Sequence, residues 1–211
     1  MIDLQKDLIY KAKIPKFYKD CNFLDNYDTG SDIWQQVADE IRKTGFSNNS
    51  RFKIITGNHN TGKTFMMSCL AKHYCNKNMN VLYVKESGLV AHESLVWTSA
   101  GFIDTPLPLP STYRMTEIPN KGYCHKKVGG VLLFDELGCQ SYIDDANFKS
   151  KDIHTKMNNY IDSILDHGVY VIFATNYPIE KLINRVGKKF WARIEKGGFI
   201  AHQLNVKHGV Y

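Results

Sequence analysis

The sequence predicts an α/β protein built on a parallel sheet with a phosphate-binding loop, and three observations carry that expectation. Gly57-Asn58-His59-Asn60-Thr61-Gly62-Lys63-Thr64 has the spacing G-x-x-x-x-G-K-[ST] and follows the apolar run Phe52-Lys53-Ile54-Ile55-Thr56, where a strand would end. A helical pattern of Phe65, Met66, Cys69, Leu70 and Tyr74 comes next. A second apolar run, Val81-Leu82-Tyr83-Val84, then completes a strand, loop, helix, strand unit of the kind that builds parallel sheets. Farther along, Val131-Leu132-Leu133-Phe134 and Val169-Tyr170-Val171-Ile172-Phe173-Ala174 are apolar without alternation, as strands covered on both faces are.

Taken in order, residues 1–30 are mixed and polar, with Pro15 and lysines at 6, 11, 13, 16 and 19, and read as an arm laid against a domain that spans 31–211. Ser31 or Asp32 can cap a first helix whose stripe is Ile33, Trp34, Val37, Ala38 and Ile41, with Gly45 to end it. Residues 86–127 form an insertion that gives little pattern. Its stretch Thr105-Pro106-Leu107-Pro108-Leu109-Pro110 reads as a loop, because each proline removes a backbone donor and fixes its φ. After the third strand, Ile153, Met157, Tyr160, Ile161, Ile164 and Leu165 recur at helical spacing before Gly168. The fourth strand ends in Thr175-Asn176.

A chain of 211 residues that is 43% apolar can bury one good core, and one domain is the expectation. The net charge of +6 suits a polyanionic partner and equally suits ordinary solubility. Cys21, Cys69, Cys75, Cys124 and Cys139 are odd in number and lack C-x-x-C pairing, which argues against a zinc knuckle or a disulfide framework and for reduced thiols in a cytoplasm. No apolar run approaches the roughly 18 residues that cross a bilayer, and residues 1–13 lack the apolar core of a signal peptide. A soluble, cytoplasmic protein with no membrane contact is expected.

The chemistry is carried by four groups. In the loop, Gly57, Asn58, His59, Asn60, Thr61 and Gly62 let the backbone wrap an anion, Lys63 reaches the β- and γ-phosphates of a nucleoside triphosphate, and the Thr64 hydroxyl completes a Mg²⁺ shell. The buried strand ending in Asp135-Glu136 delivers a carboxylate to hold Mg²⁺ and a neighbour to polarise the attacking water; alone, the pair would read as a helix cap. Asn176, at a strand tip, can hold the water and the γ-phosphate in register, or else be a turn former before Pro178. Arg185, Lys188, Lys189 and Arg193 include a candidate for a charge-stabilising arginine, though a solvated basic helix would look the same.

The order GNHNTGKT, VLLFDELG, VIFATNYP and FWARIEKGG resembles the AAA+ ATPases of the DnaC-type helicase loaders and the related IstB-type transposition helpers, as does the opening Lys13-Ile14-Pro15-Lys16-Phe17-Tyr18-Lys19-Asp20-Cys21. The similarity covers nearly the whole chain. It implies a P-loop NTPase fold with a parallel sheet sandwiched between helices (αβα), and ATP and Mg²⁺ as cofactors. It implies Walker A at Gly57, Gly62, Lys63 and Thr64, Walker B at Asp135 and Glu136, and sensor 1 at Asn176. Arg193 matches the arginine finger, which in such homo-oligomers acts in trans on ATP held by the neighbouring subunit. The partners implied are a replicative helicase and single-stranded DNA.

Three departures accompany the resemblance. The helicase-binding domain of longer loaders has no counterpart ahead of residue 13. The interval from Lys63 to Asp135 is longer than the family pattern, and its insertion is either a contact surface or a tolerated surface loop. No sensor 2 arginine is evident, with Lys207 the nearest substitute. The densest cluster for a nucleic-acid backbone is Lys121, Tyr123, Lys126 and Lys127, which would also suit a solvated loop. The sequence therefore points to an ATPase that loads or remodels a replicative helicase on DNA. Its rivals are an IstB-type transposition helper, a viral superfamily 3 helicase domain, and a nucleotide-gated helicase-binding module that turns over little ATP; Glu136 argues against the last.

Overall fold

The computed structural model describes residues 4–18, 20–21, 32–47, 49–87, 109–110, 113–118, 122–127, 129–139 and 148–204. Ser31, the prolines at 106 and 108, Lys121 and Lys207 lie outside the described residues. The strands are β1 (Phe52–Gly57), β2 (Asn80–Lys85), β3 (Tyr113–Ile118), β4 (Gly122–Lys127), β5 (Gly130–Asp135), β6 (Tyr170–Thr175) and β7 (Phe199–Leu204). The helices are α1 (Leu4–Lys11), α2 (Asp32–Thr44), α3 (Lys63–Asn76), α4 (Phe148–Asp166), α5 (Ile179–Val186) and α6 (Lys188–Gly197), with a 3-10 turn at Lys16–Tyr18.

Five strands pair in parallel in the order β2-β5-β6-β1-β7. The four apolar runs are thus the four strands expected, and β7 is a fifth, added at one edge. Side chains alternate between two separate cores. Ile55, Val81, Tyr83, Val131, Leu133, Ile172 and Ala174 pack against α1, α2 and α3. Their sequence neighbours Ile54, Leu82, Leu132, Phe134, Val171 and Phe173 pack against α4, α5 and α6. Each large apolar side chain so buried contributes about 1.5–3 kcal/mol, so a strand covered twice is mostly apolar. This is the expected αβα sandwich.

The α2 stripe buries Trp34, Val37, Ala38 and Ile41, but Ile33 is 38% exposed, so the expected stripe is narrower by one residue. Lys53, wholly buried on β1, donates to the Thr44 hydroxyl at 2.5 Å, and His202 of β7 lies 3.3 Å from Glu40. Burial holds the Lys53 ammonium below its usual range, with the Glu40 charge opposing. Together these residues tie α2 to the two strands beneath it.

The N-terminal segment lies along the β2 edge. Leu8, Ala12 and Ile14 are buried, and the Ala12 carbonyl accepts the Tyr83 N–H at 2.8 Å. Its far end sits on α3, where the Lys72 ammonium donates to the Cys21 carbonyl at 2.6 Å and the sulfurs of Cys21 and Cys69, both free thiols, are 3.4 Å apart. Within the insertion, β3 and β4 form an antiparallel hairpin that carries Tyr123, Lys126 and Lys127. The hairpin has no counterpart in the sequence reading. Among the described residues, no helix is long and apolar enough to cross a membrane.

Candidate active site

Parallel pairing brings the C-terminal ends of the strands to one rim. Thr56 is registered with Thr175 and Lys85 with Asp135, so β1, β2, β5 and β6 end together. At this rim lies a cleft of about 200 Å³ lined by Tyr18, His59 to Phe65, Asp135, Glu136 and Ala174 to Asn176. That is the usual location for a ligand in an open α/β sheet.

The loop 57–64 joins β1 to α3. Gly57 is required by its neighbour strand, since a Cβ there would meet the Leu204 carbonyl oxygen at 2.7 Å. Gly62 takes φ +81 as the residue before the helix, a conformation that favours glycine. The chain thereby aims the N-terminus of α3, with its uncommitted N–H groups and positive dipole end, into the cleft. Lys63 is 7% exposed; its ammonium donates to the carbonyls of Gly57 at 2.8 Å and Asn58 at 2.5 Å and to the Thr61 hydroxyl at 3.2 Å. Burial pushes the ammonium down to about 8, with the Asp135 charge acting in the other direction. Trp34 donates to the Gly62 carbonyl at 3.4 Å and packs on Phe65, with ring centroids 5.5 Å apart.

Asp135 is 2% exposed and accepts three hydrogen bonds. Its Oδ2 takes the Thr64 hydroxyl at 2.9 Å and the Tyr83 hydroxyl at 2.5 Å, and its Oδ1 takes the Glu136 N–H at 3.0 Å. Burial, followed by the Asp135 charge, raises the Tyr83 phenol far above its usual range, so it stays protonated as a donor. Glu136 adopts φ +65, a left-handed conformation unusual for its type, of the kind that gathers at functional sites. Its Oε1 lies 3.1 Å from the Lys85 ammonium. Burial opposes the Lys85 charge, but the hydrogen bond and charge of Glu136 outweigh it, and Lys85 titrates above its usual range.

The segment after Glu136 is tied to the β6 tip. Leu137 N–H donates to the Ala174 carbonyl at 2.8 Å, and the Thr175 hydroxyl returns a bond to the Leu137 carbonyl at 2.8 Å. Arg185 of α5 donates to the carbonyls of Gly138 and Cys139 and stacks 4.5 Å over Tyr177. Asn176 is therefore carried on a braced corner and faces the cleft.

Lys63, Thr64, Asp135, Glu136, Asn176 and residues 59–62 all line the cleft; Gly57, Asn58 and Arg193 do not. Arg193 sits on α6, where its Nε and Nη2 donate to the two Asp162 carboxylate oxygens at 2.6 and 2.8 Å and its Nη1 to Asn158 Oδ1 at 3.1 Å. Tyr18, Tyr83 and Lys85 are among the residues that bear on the site although the sequence reading gave them no part there. Tyr18 lay in plain view within the diagnostic opening segment. Tyr83 carried a signal too, because a hydroxyl inside a doubly covered strand needs a partner. Among the described residues, no group of three His, Cys, Asp or Glu could hold a metal ion by protein ligands alone.

Comparison with known proteins agrees with this picture. The sequence model of the family described as AAA, ATPase family associated with various cellular activities, matches residues 54–197. No curated protein matches the chain. Among solved structures, that of DnaI aligns with a TM-score of 0.59 at 13% identity, over 95% of this chain and 96% of that one. The DnaC helicase loader aligns with 0.58 at 17% identity, over 90% and 100%. The replication initiator DnaA bound to AMPPCP and single-stranded DNA aligns with 0.56 at 14% identity, over 92% of this chain and 52% of that one. At such identities the likeness is one of fold.

Proposed function

Because the chain belongs to the AAA family of ATPases, we propose that it binds ATP with Mg²⁺ in this cleft, hydrolyses it, and uses the cycle to load or remodel a replicative DNA helicase on single-stranded DNA. The observation that carries the reading is convergence: Lys63, the Asp135-Glu136 pair and Asn176 come from separate stretches and line one cleft.

The α3 N-terminus, residues 57–62 and the Lys63 ammonium take the phosphates. The Thr64 hydroxyl and the Asp135 carboxylate, 2.9 Å apart, are hard oxygen donors that fit Mg²⁺. Mg²⁺ commonly rests on one or two protein groups, with phosphates and water completing its shell. When bound, the ion offsets charge on the phosphates. Glu136 accepts the proton of the water that attacks the γ-phosphorus, the bridging oxygen leaves with ADP, and Asn176 holds the water in line.

Phosphate binding by Lys63 needs the charged ammonium. With that group at about 8, affinity for ATP is expected to fall as pH rises through 8, by about tenfold between pH 7 and pH 9. Titration of a fluorescent ATP analogue at pH 7, 8 and 9 checks this; a flat profile would remove the ammonium from the binding step.

Arg193 is the arginine that serves a neighbouring copy's γ-phosphate, exchanging its Asp162 pairing for the phosphate. Arg193→Ala is expected to cut turnover about 100-fold with ATP affinity within about twofold. Mixing it with Lys63→Ala protein should restore part of the activity, since some hybrid interfaces join an intact cleft to an intact arginine; no recovery counts against action in trans.

The helicase and DNA assignments rest on the likeness in fold to the DnaC helicase loader over its whole length and to DnaA with single-stranded DNA. A pull-down from the native cell with Glu136→Gln protein held in ATP tests them. A replicative helicase in the trapped complex is the expected result, and a transposase in its place would redirect the reading to transposition.

A further inference from the structure

We propose that Tyr83 is a positioning residue that fixes the Asp135 carboxylate in the orientation that accepts Mg²⁺. The proposal rests on the ATP and Mg²⁺ reading above and adds a residue to it. The juxtaposition is specific. Tyr83 and Asp135 stand on adjacent parallel strands, Lys85 being the register partner of Asp135, so Tyr83 sits one same-face step before the tip and its ring reaches toward the rim. Its hydroxyl donates to Asp135 Oδ2 at 2.5 Å, on the same oxygen that receives Thr64 at 2.9 Å.

Below the tip, the other residues on this face of β2 and β5, Val81, Val131 and Leu133, are apolar. The ring is itself anchored. Tyr83 is 4% exposed, and its backbone N–H is bonded to Ala12 of the N-terminal segment at 2.8 Å. A carboxylate free to turn about its last torsion would spend part of its time with both oxygens away from the ion. Donors on both oxygens, Tyr83 and Thr64 on one and the Glu136 N–H on the other, remove that freedom. Outer groups that orient a ligand in this way alter metal affinity by about 10- to 100-fold when removed.

Tyr83→Phe keeps the ring and the backbone bond and deletes only the donor. The test is binding of a fluorescent ATP analogue to the full chain, titrated with Mg²⁺ and repeated in chelator. The Mg²⁺ concentration for half-maximal enhancement is expected to rise about tenfold, with the Mg²⁺-free affinity within about twofold of the unsubstituted protein. An unchanged Mg²⁺ requirement would overturn the proposal. So would an equal loss with and without Mg²⁺, which is what a purely packing tyrosine would produce. If the unsubstituted chain shows no Mg²⁺ enhancement at all, the ATP and Mg²⁺ reading fails instead, a distinct outcome. A cycle with Asp135→Asn gives a second measurement: the double variant is expected to need no more Mg²⁺ than Asp135→Asn alone, and additive effects overturn the assignment.

Discussion

Glu136→Gln is expected to leave ATP affinity within about twofold and to cut turnover by about 10³-fold, the middle of the range for a residue that takes a proton in the transition state. The amide keeps the size and shape of the side chain, so the φ +65 backbone and the bond from the Glu136 N–H to Asp135 persist. What is lost is the proposed proton acceptor. The substitution also deprives the Lys85 ammonium of its charged partner at 3.1 Å, but that pair is partly exposed and contributes little to folding. Single-turnover phosphate release, beside a direct binding titration, separates the two quantities. Normal turnover in the variant would refute the assignment of Glu136 as the base.

Lys63→Ala should act one step earlier and abolish binding at working concentrations. The ammonium is buried among the Gly57 and Asn58 carbonyls and the Thr61 hydroxyl, and a triphosphate would draw it from the first two. Truncating one partner of a buried, hydrogen-bonded charge pair costs roughly 4 kcal/mol, or about 10³-fold in affinity. Calorimetry with ATP in excess Mg²⁺ reads this directly. Melting of the apo variant should show no matching loss, because the same burial that depresses Lys63 makes its charge a cost in the empty site. A variant that binds ATP normally would remove the loop lysine from the phosphate site.

Legibility in the sequence followed contiguity. β1, β2, β5 and β6 were plain because both faces are covered, which leaves unbroken apolar runs. β7 was not, since an edge strand in which exposed Ala201 and Gln203 alternate with buried His202 and Leu204 carries no such run. The segment Leu4–Lys11 is a single short helix whose apolar residues mean little until the β2 edge is there to receive them. At the cleft, the loop 57–64 and the Asp135-Glu136 pair are motifs of neighbouring residues, and spacing alone exposes them. Tyr83 and Lys85 depend instead on β2 lying beside β5, a pairing that spans the whole insertion and that periodicity cannot supply. Arg193 was legible as a basic position, but its Asp162 partner, on another helix, was not.

The two helical layers have one further consequence. The helix that opens at the cleft, α3, belongs to the layer with α1 and α2, whereas Arg193 stands on α6 in the opposite layer. An arginine that serves another molecule's cleft would then pair two different surfaces, the cleft rim and the α6 face. Joined head to tail, such surfaces leave one unfilled at each end of the stack. An assembly of that kind would either close into a ring or continue as a helical filament, its pitch deciding which.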